Sequence, residues 1–354
     1  MAGQQSAADD LRADLVFEGG GVKGIGLAGA YRELSDHGYQ PACVAGTSAG
    51  SIMAALVAAG YTSAELEDIV LHKMDFTKFE DGTFLNHFGA VGDIAQFFSS
   101  RGMHSGKYFL GWIRDLLAAK GKTKFGDLRD RNATDPKRTY ALRVIASDLS
   151  ARSMLVLPQD AEQLGTAPDE LEIAEAIRMS MSIPIFFEPV SLNGHQIVDG
   201  GLLSNFPIWL FDTPPGTTPA FPTFGLLLVA PDQTAPLLPS PPGGAVKAIS
   251  SDVDFLKAIA ETMMEAHDRF YVEQANYART IPIPTMGVGT TEFDIAPDRA
   301  LSLFNSGKDA AKTFLATWDF EAYKAKFRQG QTVSRRESVG GAGAGAGGTT
   351  NAPA

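Results

Sequence analysis

Ser48 stands in Gly46-Thr47-Ser48-Ala49-Gly50, after the short apolar run Ala42 to Ala45 and before an alanine-rich stretch, Ser51 to Ala59, that ends at Gly60. Between a strand and a helix, small residues on either side let the two backbones approach, and the strained corner leaves the serine hydroxyl exposed as a nucleophile. A hydroxyl is weak in that role until a base takes its proton. The acid best placed for this is Asp199, which ends the strand-like run His195 to Asp199 and is followed by Gly200 and Gly201, so that no side chain obstructs its approach. The plainer reading of Ser48 is a helix N-cap within a chance pattern of small residues.

A third corner lies upstream. Leu15-Val16-Phe17 reads as a short strand, and Gly19, Gly20, Gly21, Val22, Lys23 and Gly24 form a turn before a helix in which Leu27, Tyr31 and Leu34 recur at helical spacing. With three Cβ atoms missing, consecutive backbone N–H groups can point into one concavity at the positive end of a helix dipole, which suits a negatively charged oxygen. Gly19, Gly21 and Gly24 also match the dinucleotide-binding fingerprint. That motif wants an acid at the end of the second strand, where this chain has Gly46-Thr47-Ser48, while Glu33 and Asp36 fall on the preceding helix.

A serine–acid–histidine triad has a weaker basis. After Asp199 the only histidine is His267, inside Asp252 to Ala278, where Phe255, Ile259, Met263 and Phe270 make an apolar helical stripe. His195 precedes Asp199 by four residues and points to the same strand face. Either would have to be brought to Ser48 by tertiary folding.

Taken together, the glycine turn Gly19 to Gly24, the elbow Gly46 to Gly50 and Asp199-Gly200-Gly201 resemble the patatin-like phospholipase family. Further similar blocks are Arg178-Met179-Ser180-Met181-Ser182-Ile183-Pro184 with Phe187-Glu188-Pro189, then Gly201 to Pro207, then Gly287 to Asp294, so the likeness spans Asp14 to Phe320 in order. The resemblance implies a Ser–Asp dyad in which Ser48 attacks an ester carbonyl and Asp199 takes its proton without a histidine, with the Gly19 to Gly24 turn as oxyanion hole. By the physics, amides near Gly20, Gly21 and Val22 are the donors, each mattering by ~100–1,000-fold in rate. A carboxylate with an ordinary pKa near ~3.9 is a poor base at neutral pH, so desolvation must raise that of Asp199. The resemblance also suggests that Arg178, the one cation of its block, lies near the site and meets a lipid phosphate; a structural ion pair is the competing role. The chemistry requires no metal or organic cofactor. The substrate implied is a phospholipid acyl ester at a membrane surface, and the alternative from another class is a lipid-binding or storage protein that kept the fold without the activity.

The elements that must present these residues make an α/β domain: three layers, α/β/α, with a mainly parallel central sheet and both dyad residues at one edge. With 354 residues and 44% hydrophobic content, one large core with a tail is expected, residues 14–330, preceded by a flexible segment 1–13 and followed by a disordered Gly/Ala-rich tail, 331–354. Thr62 to Glu65 is a capping-box start for a helix to about Met74, and Lys107 to Ala119 is an amphipathic helix. Thr139 to Ala146, Phe224 to Ala230 and Thr280 to Val288 read as strands, with Asp148 as a turn-former just past the first. Within 75–105, Phe76, Phe79, Phe84, Phe88, Phe97 and Phe98 punctuate a glycine-containing segment that reads either as core or as a cap beside the site.

Cys43 is alone, which excludes an internal disulfide and fits a reducing compartment; a small core residue is its expected role. Met1 to Arg12 lacks the basic start and apolar core of a signal peptide, and no apolar run approaches the ~18 residues that span a bilayer. A soluble, cytoplasmic protein, peripheral at a membrane, is expected. The formal net charge of −11 argues against nucleic acid and against electrostatic docking on anionic lipid. Latency until an activator reorders a cap is compatible with such a hydrolase, but no residue identifies the activator or the oligomeric state.

Overall fold

The structure is a computed structural model that describes residues 11–75, 78, 106–184, 186–214, 217–230, 258, 262 and 274–328. The expectations for the 75–105 cap, for His267 and for the two termini therefore lie outside the described residues, except at the cap's isolated positions 75 and 78 and at residues 11–13.

Five strands run parallel in the order β3-β2-β1-β7-β8: β1 (Arg12–Phe17), β2 (Gln40–Thr47), β3 (Leu142–Asp148), β7 (Thr223–Val229) and β8 (Thr280–Pro284). An antiparallel set is added at β3, from β4 (Ser153–Leu157), β6 (His195–Asp199) and β5 (Val190–Leu192). The sheet is thus mixed, parallel through its centre and antiparallel beyond β3.

Strand alternation divides the core. Leu15, Phe17, Val44, Val144 and Ala146 face one side, where they pack with α1 (Ile25–Asp36), α2 (Ala49–Ala58), α3 (Ser63–Asp68), α4 (Lys107–Ala119), α5 (Ile173–Ser180) and α7 (Pro297–Leu315), a short α6 (Gln274–Tyr277) intervening in the chain. Val16, Cys43, Ala45 and Ile145 face the other, where among the described residues Phe206, Ile208, Trp209, Leu210 and Phe211 cover them. The chain ends its described course in α8 (Phe320–Phe327). There Asp212 accepts from Arg279 at 2.5 Å and from Arg328 at 3.0 Å, tying β8 and the residue after α8 to the turn that follows Phe211.

Local signals explain the helix starts. Thr62 and Glu65 make the reciprocal capping box, with the Glu65 N–H donating to Thr62 Oγ1 at 3.2 Å and the Thr62 N–H donating to Glu65 Oε2 at 2.8 Å. The expected helix to about Met74 is instead α3 followed by a π-helical turn, Ile69–Lys73. The strand expected over Thr139 to Ala146 begins at Leu142 and runs on to Asp148, because pairing with β4 and β6 extends its far end. The last strand stops at Pro284, short of Val288, where the chain turns back through a Val288 N–H to Thr285 O bond.

Register brings the three glycine-rich corners to one edge. Phe17 pairs with Gly46, so the glycine turn and the elbow leave the sheet side by side. Thr47 pairs with Ile145, and Ala146 pairs with Asp199. Ser48 is therefore level with the acid, one strand away.

Candidate active site

The elbow begins where β2 stops. Ser48 has φ 52° and ψ −129°, in the left-handed half of the map that a residue with a Cβ rarely occupies, and α2 starts at the next residue. Such a conformation costs on the order of 1–3 kcal/mol and persists only where surrounding contacts impose it. Those contacts are present: the Ser48 N–H donates to Ser180 Oγ at 2.8 Å, and the Thr47 hydroxyl donates to Ser204 O at 3.0 Å. A Cβ on Gly50 would sit 2.3 Å from Phe17 O and 2.5 Å from Glu18 O, so only glycine lets α2 leave the elbow against the end of β1.

Asp199 ends β6 and is fully buried, like Ser48. Its Oδ1 accepts the Gly201 N–H at 2.7 Å, and its own N–H donates to Ser182 O at 2.9 Å. Burial pushes its carboxyl up to about 7, against smaller lowering effects of the Gly201 amide and the Ser48 hydroxyl. Even so, Ser48 Oγ and Asp199 Oδ2 are both buried with no aligned hydrogen-bond partner, so the two groups are neighbours rather than a formed hydrogen bond.

The glycine turn differs in one donor from the sequence expectation. Gly21 to Gly24 form a 3-10 turn running into α1. The Gly19 N–H donates to Asn205 O, the Lys23 N–H to Gly20 O at 3.2 Å, and the Val22 N–H to Thr290 O at 3.1 Å. Val22 is thus already engaged by the loop after β8, and the Gly20 and Gly21 amides are the ones left without an acceptor among the described residues. Gly24 packs its Cα side on Ala49, which seats the turn against the elbow.

Arg178 is also used internally. It is buried at the end of α5, donates to Ser182 Oγ at 2.5 Å and to Glu188 O at 2.9 Å, and lies over the Phe187 ring. These bonds, to a hydroxyl and a carbonyl, hold the segment leading to β5 and β6. His195 does share the Asp199 face, but its Nδ1 lies 2.5 Å from Asp148 Oδ2, and Asp148 also caps the Ser150 and Ala151 amides as the turn-former expected. Cys43 is a core residue whose thiol burial pushes up to about 11. Ser180, Ser204 and Asn205 were not singled out by the sequence, because each acts through contacts with residues remote in the chain. Among the described residues no cluster of His, Cys, Asp and Glu could hold a metal, and no helix is long and apolar enough to cross a membrane.

The sequence pattern of the family described as Patatin-like phospholipase matches residues 15–212, which contain all three corners. Among curated proteins, the uncharacterized protein YqhO of Bacillus subtilis (strain 168) is 37% identical over 87% of this chain and 99% of its own length. The probable lipid hydrolase 463L of Invertebrate iridescent virus 6 is 25% identical over 55% of this chain and 61% of its own. Lysophospholipase NTE1 of Eremothecium gossypii is 26% identical over 55% of this chain, which spans 11% of that larger protein. A pattern that covers more than half of the chain and a relative matched almost end to end lead to one conclusion: the chain belongs to the patatin-like phospholipase family.

Proposed function

We propose that the protein is a serine lipid acyl hydrolase of phospholipase A type, working through Ser48 and Asp199. Ser48 Oγ attacks the ester carbonyl carbon while its proton passes to the Asp199 carboxylate. The carbonyl oxygen becomes an oxyanion that takes hydrogen bonds from the Gly20 and Gly21 N–H groups. Collapse breaks the ester C–O bond, and the alcohol leaves with the proton held by Asp199. Water then gives a proton to Asp199 as its oxygen attacks the acyl-serine; collapse breaks the bond between the acyl carbon and Ser48 Oγ, and Asp199 returns the proton to that oxygen, releasing the fatty acid and free Ser48.

The observation that carries this reading is the pair of buried, unsatisfied oxygens at the level of one sheet edge: Ser48 Oγ on a strained corner and Asp199 Oδ2 beside it, in a carboxyl whose pKa burial has moved to about 7. A base near the operating pH is the one suited to proton transfer, and hydrogen bonds between catalytic groups commonly tighten when substrate binds. The family and a relative named as a probable lipid hydrolase support acyl esters of lipids as the substrate class.

The test is fatty-acid release from mixed phospholipid vesicles by wild type, Ser48→Ala and Asp199→Ala. Each variant should lose at least about a thousandfold in kcat. A wild-type rate equal to that of Ser48→Ala would instead favour a lipid-binding or storage role, or a hydrolase whose activator is missing.

A further inference from the structure

One dipeptide, Ser204-Asn205, touches all three corners. Ser204 O accepts the Thr47 hydroxyl at 3.0 Å, and the Ser204 N–H donates to Gly200 O at 2.9 Å. Asn205 bonds Gly19 twice: its backbone carbonyl accepts the Gly19 N–H at 3.1 Å, and its side-chain Nδ2 donates to Gly19 O at 3.0 Å. The same Nδ2 lies 3.3 Å from Glu18 Oε1, and the residue is 6% exposed.

The Gly19 oxygen matters because of what shares its peptide group. A trans peptide is planar, so the carbonyl of Gly19 and the N–H of Gly20 point in opposite directions, and whatever fixes that oxygen aims that hydrogen. The next peptide is fixed from within the turn, since the Lys23 N–H holds Gly20 O and so aims the Gly21 N–H. Of the two amides left for an oxyanion, one is therefore aimed by the turn itself and the other by a side chain from a remote segment. That side chain is close-packed in its place: a Cβ on Gly19 would lie 2.2 Å from Asn205 Oδ1 and 3.1 Å from Ser48 Cβ.

We propose that Asn205 is a positioning residue that, by gripping the Gly19 carbonyl, aims the Gly20 N–H at the oxyanion formed on Ser48; this rests on the acyl-hydrolase reading above. The hydrogen bonds of Asn205 run to Gly19 and Glu18, so its effect passes through the Gly19–Gly20 peptide. Loss of Asn205 leaves both amides in the chain but frees the Gly19–Gly20 peptide to rotate. The cost falls on the transition state, because a ground-state ester carbonyl makes less of that hydrogen bond than an oxyanion does.

The experiment compares wild type, Ser48→Ala, Asn205→Ala and the nearly isosteric Asn205→Asp, which keeps the shape but replaces the donor with an acceptor facing Gly19 O. Hydrolysis of p-nitrophenyl butyrate, the rate of phosphonylation by a fluorophosphonate probe, and thermal melting are measured on each. The expected result is a fall in kcat of about 10–100-fold for both position-205 variants with KM within about threefold of wild type, and a parallel fall in phosphonylation. A kcat within about threefold of wild type in either folded variant would overturn the proposal. So would a loss confined to KM, or the failure of both variants to melt cooperatively, which would make the residue a folding determinant. A wild type that is neither labelled nor faster than Ser48→Ala removes the acyl-hydrolase reading itself, and that outcome is distinct from an active wild type with unaffected position-205 variants.

Discussion

Ser48 holds a φ of 52° with a Cβ attached, and Asp199 holds a carboxyl at about 7 with no cation beside it among the described residues. Both are unfavourable states, maintained by neighbours. For Asp199 the consequence is measurable in two ways. In the proposed mechanism its charged form is the base, so kcat/KM for a soluble ester should rise with pH through a single ionisation near 7 and level off above it. A flat profile between pH 5 and 9 would remove Asp199 from that role. Stability should move the other way. Below the ordinary carboxyl value of 3.8 the group is protonated in both folded and unfolded chains and contributes nothing. Between 3.8 and about 7 only the unfolded chain ionises, so stability falls as pH rises through that window. Asp199→Asn should accordingly be more stable than wild type at pH 8, by on the order of 2–4 kcal/mol, with the gain vanishing near pH 4 in denaturant titrations. At this scale the sequence was legible where a residue announces itself by its neighbours in the chain, as Ser48 and Asp199 do. Ser180 and Asn205 carry no such signal. Val22 could not be discounted as a donor either, since the carbonyl that takes its N–H belongs to Thr290.

At the scale of elements, β2 and α2 meet so tightly that the corner cannot accept another carbon. Gly50→Ala places a Cβ 2.3 Å from a main-chain oxygen that has no rotamer to escape into, so β1 and α2 must separate. A loss of at least ~2 kcal/mol in unfolding free energy is expected, together with loss of activity, because the displaced strand also carries the glycine turn. An unchanged melting temperature for that variant would mean the corner is slack. Within the parallel centre, β1 and β2 were readable from short apolar runs that end in glycines and are followed by a helical period, and β3, β7 and β8 from their apolar runs alone. Of the antiparallel additions, β6 was legible but β4 and β5 were not: Ser153–Leu157 is five residues long and Val190–Leu192 only three, lengths at which periodicity does not separate strand from other structure. Boundaries shifted where pairing, rather than composition, decides them, as at the far end of β3.

For the whole molecule, the formal net charge of −11 means that any contact with a lipid surface would rest mainly on apolar groups. The Asp212 bonds to Arg279 and Arg328 fasten the described C-terminal end onto β8 and the far face of the sheet. The two residues of the proposed dyad are supported differently. Ser48 issues from β2, which has a strand on each side in the parallel centre, whereas Asp199 rides on a five-residue strand flanked outwardly by the three-residue β5. A short margin of this kind opens before the centre does. Amides of Gln196, Ile197 and Val198 should therefore exchange with deuterated solvent sooner than those of Val44 to Gly46. Mild urea should silence the protein while its far-ultraviolet dichroism is still native. The nucleophile would then remain mounted and intact, waiting on a proton acceptor that the loosened margin has carried away.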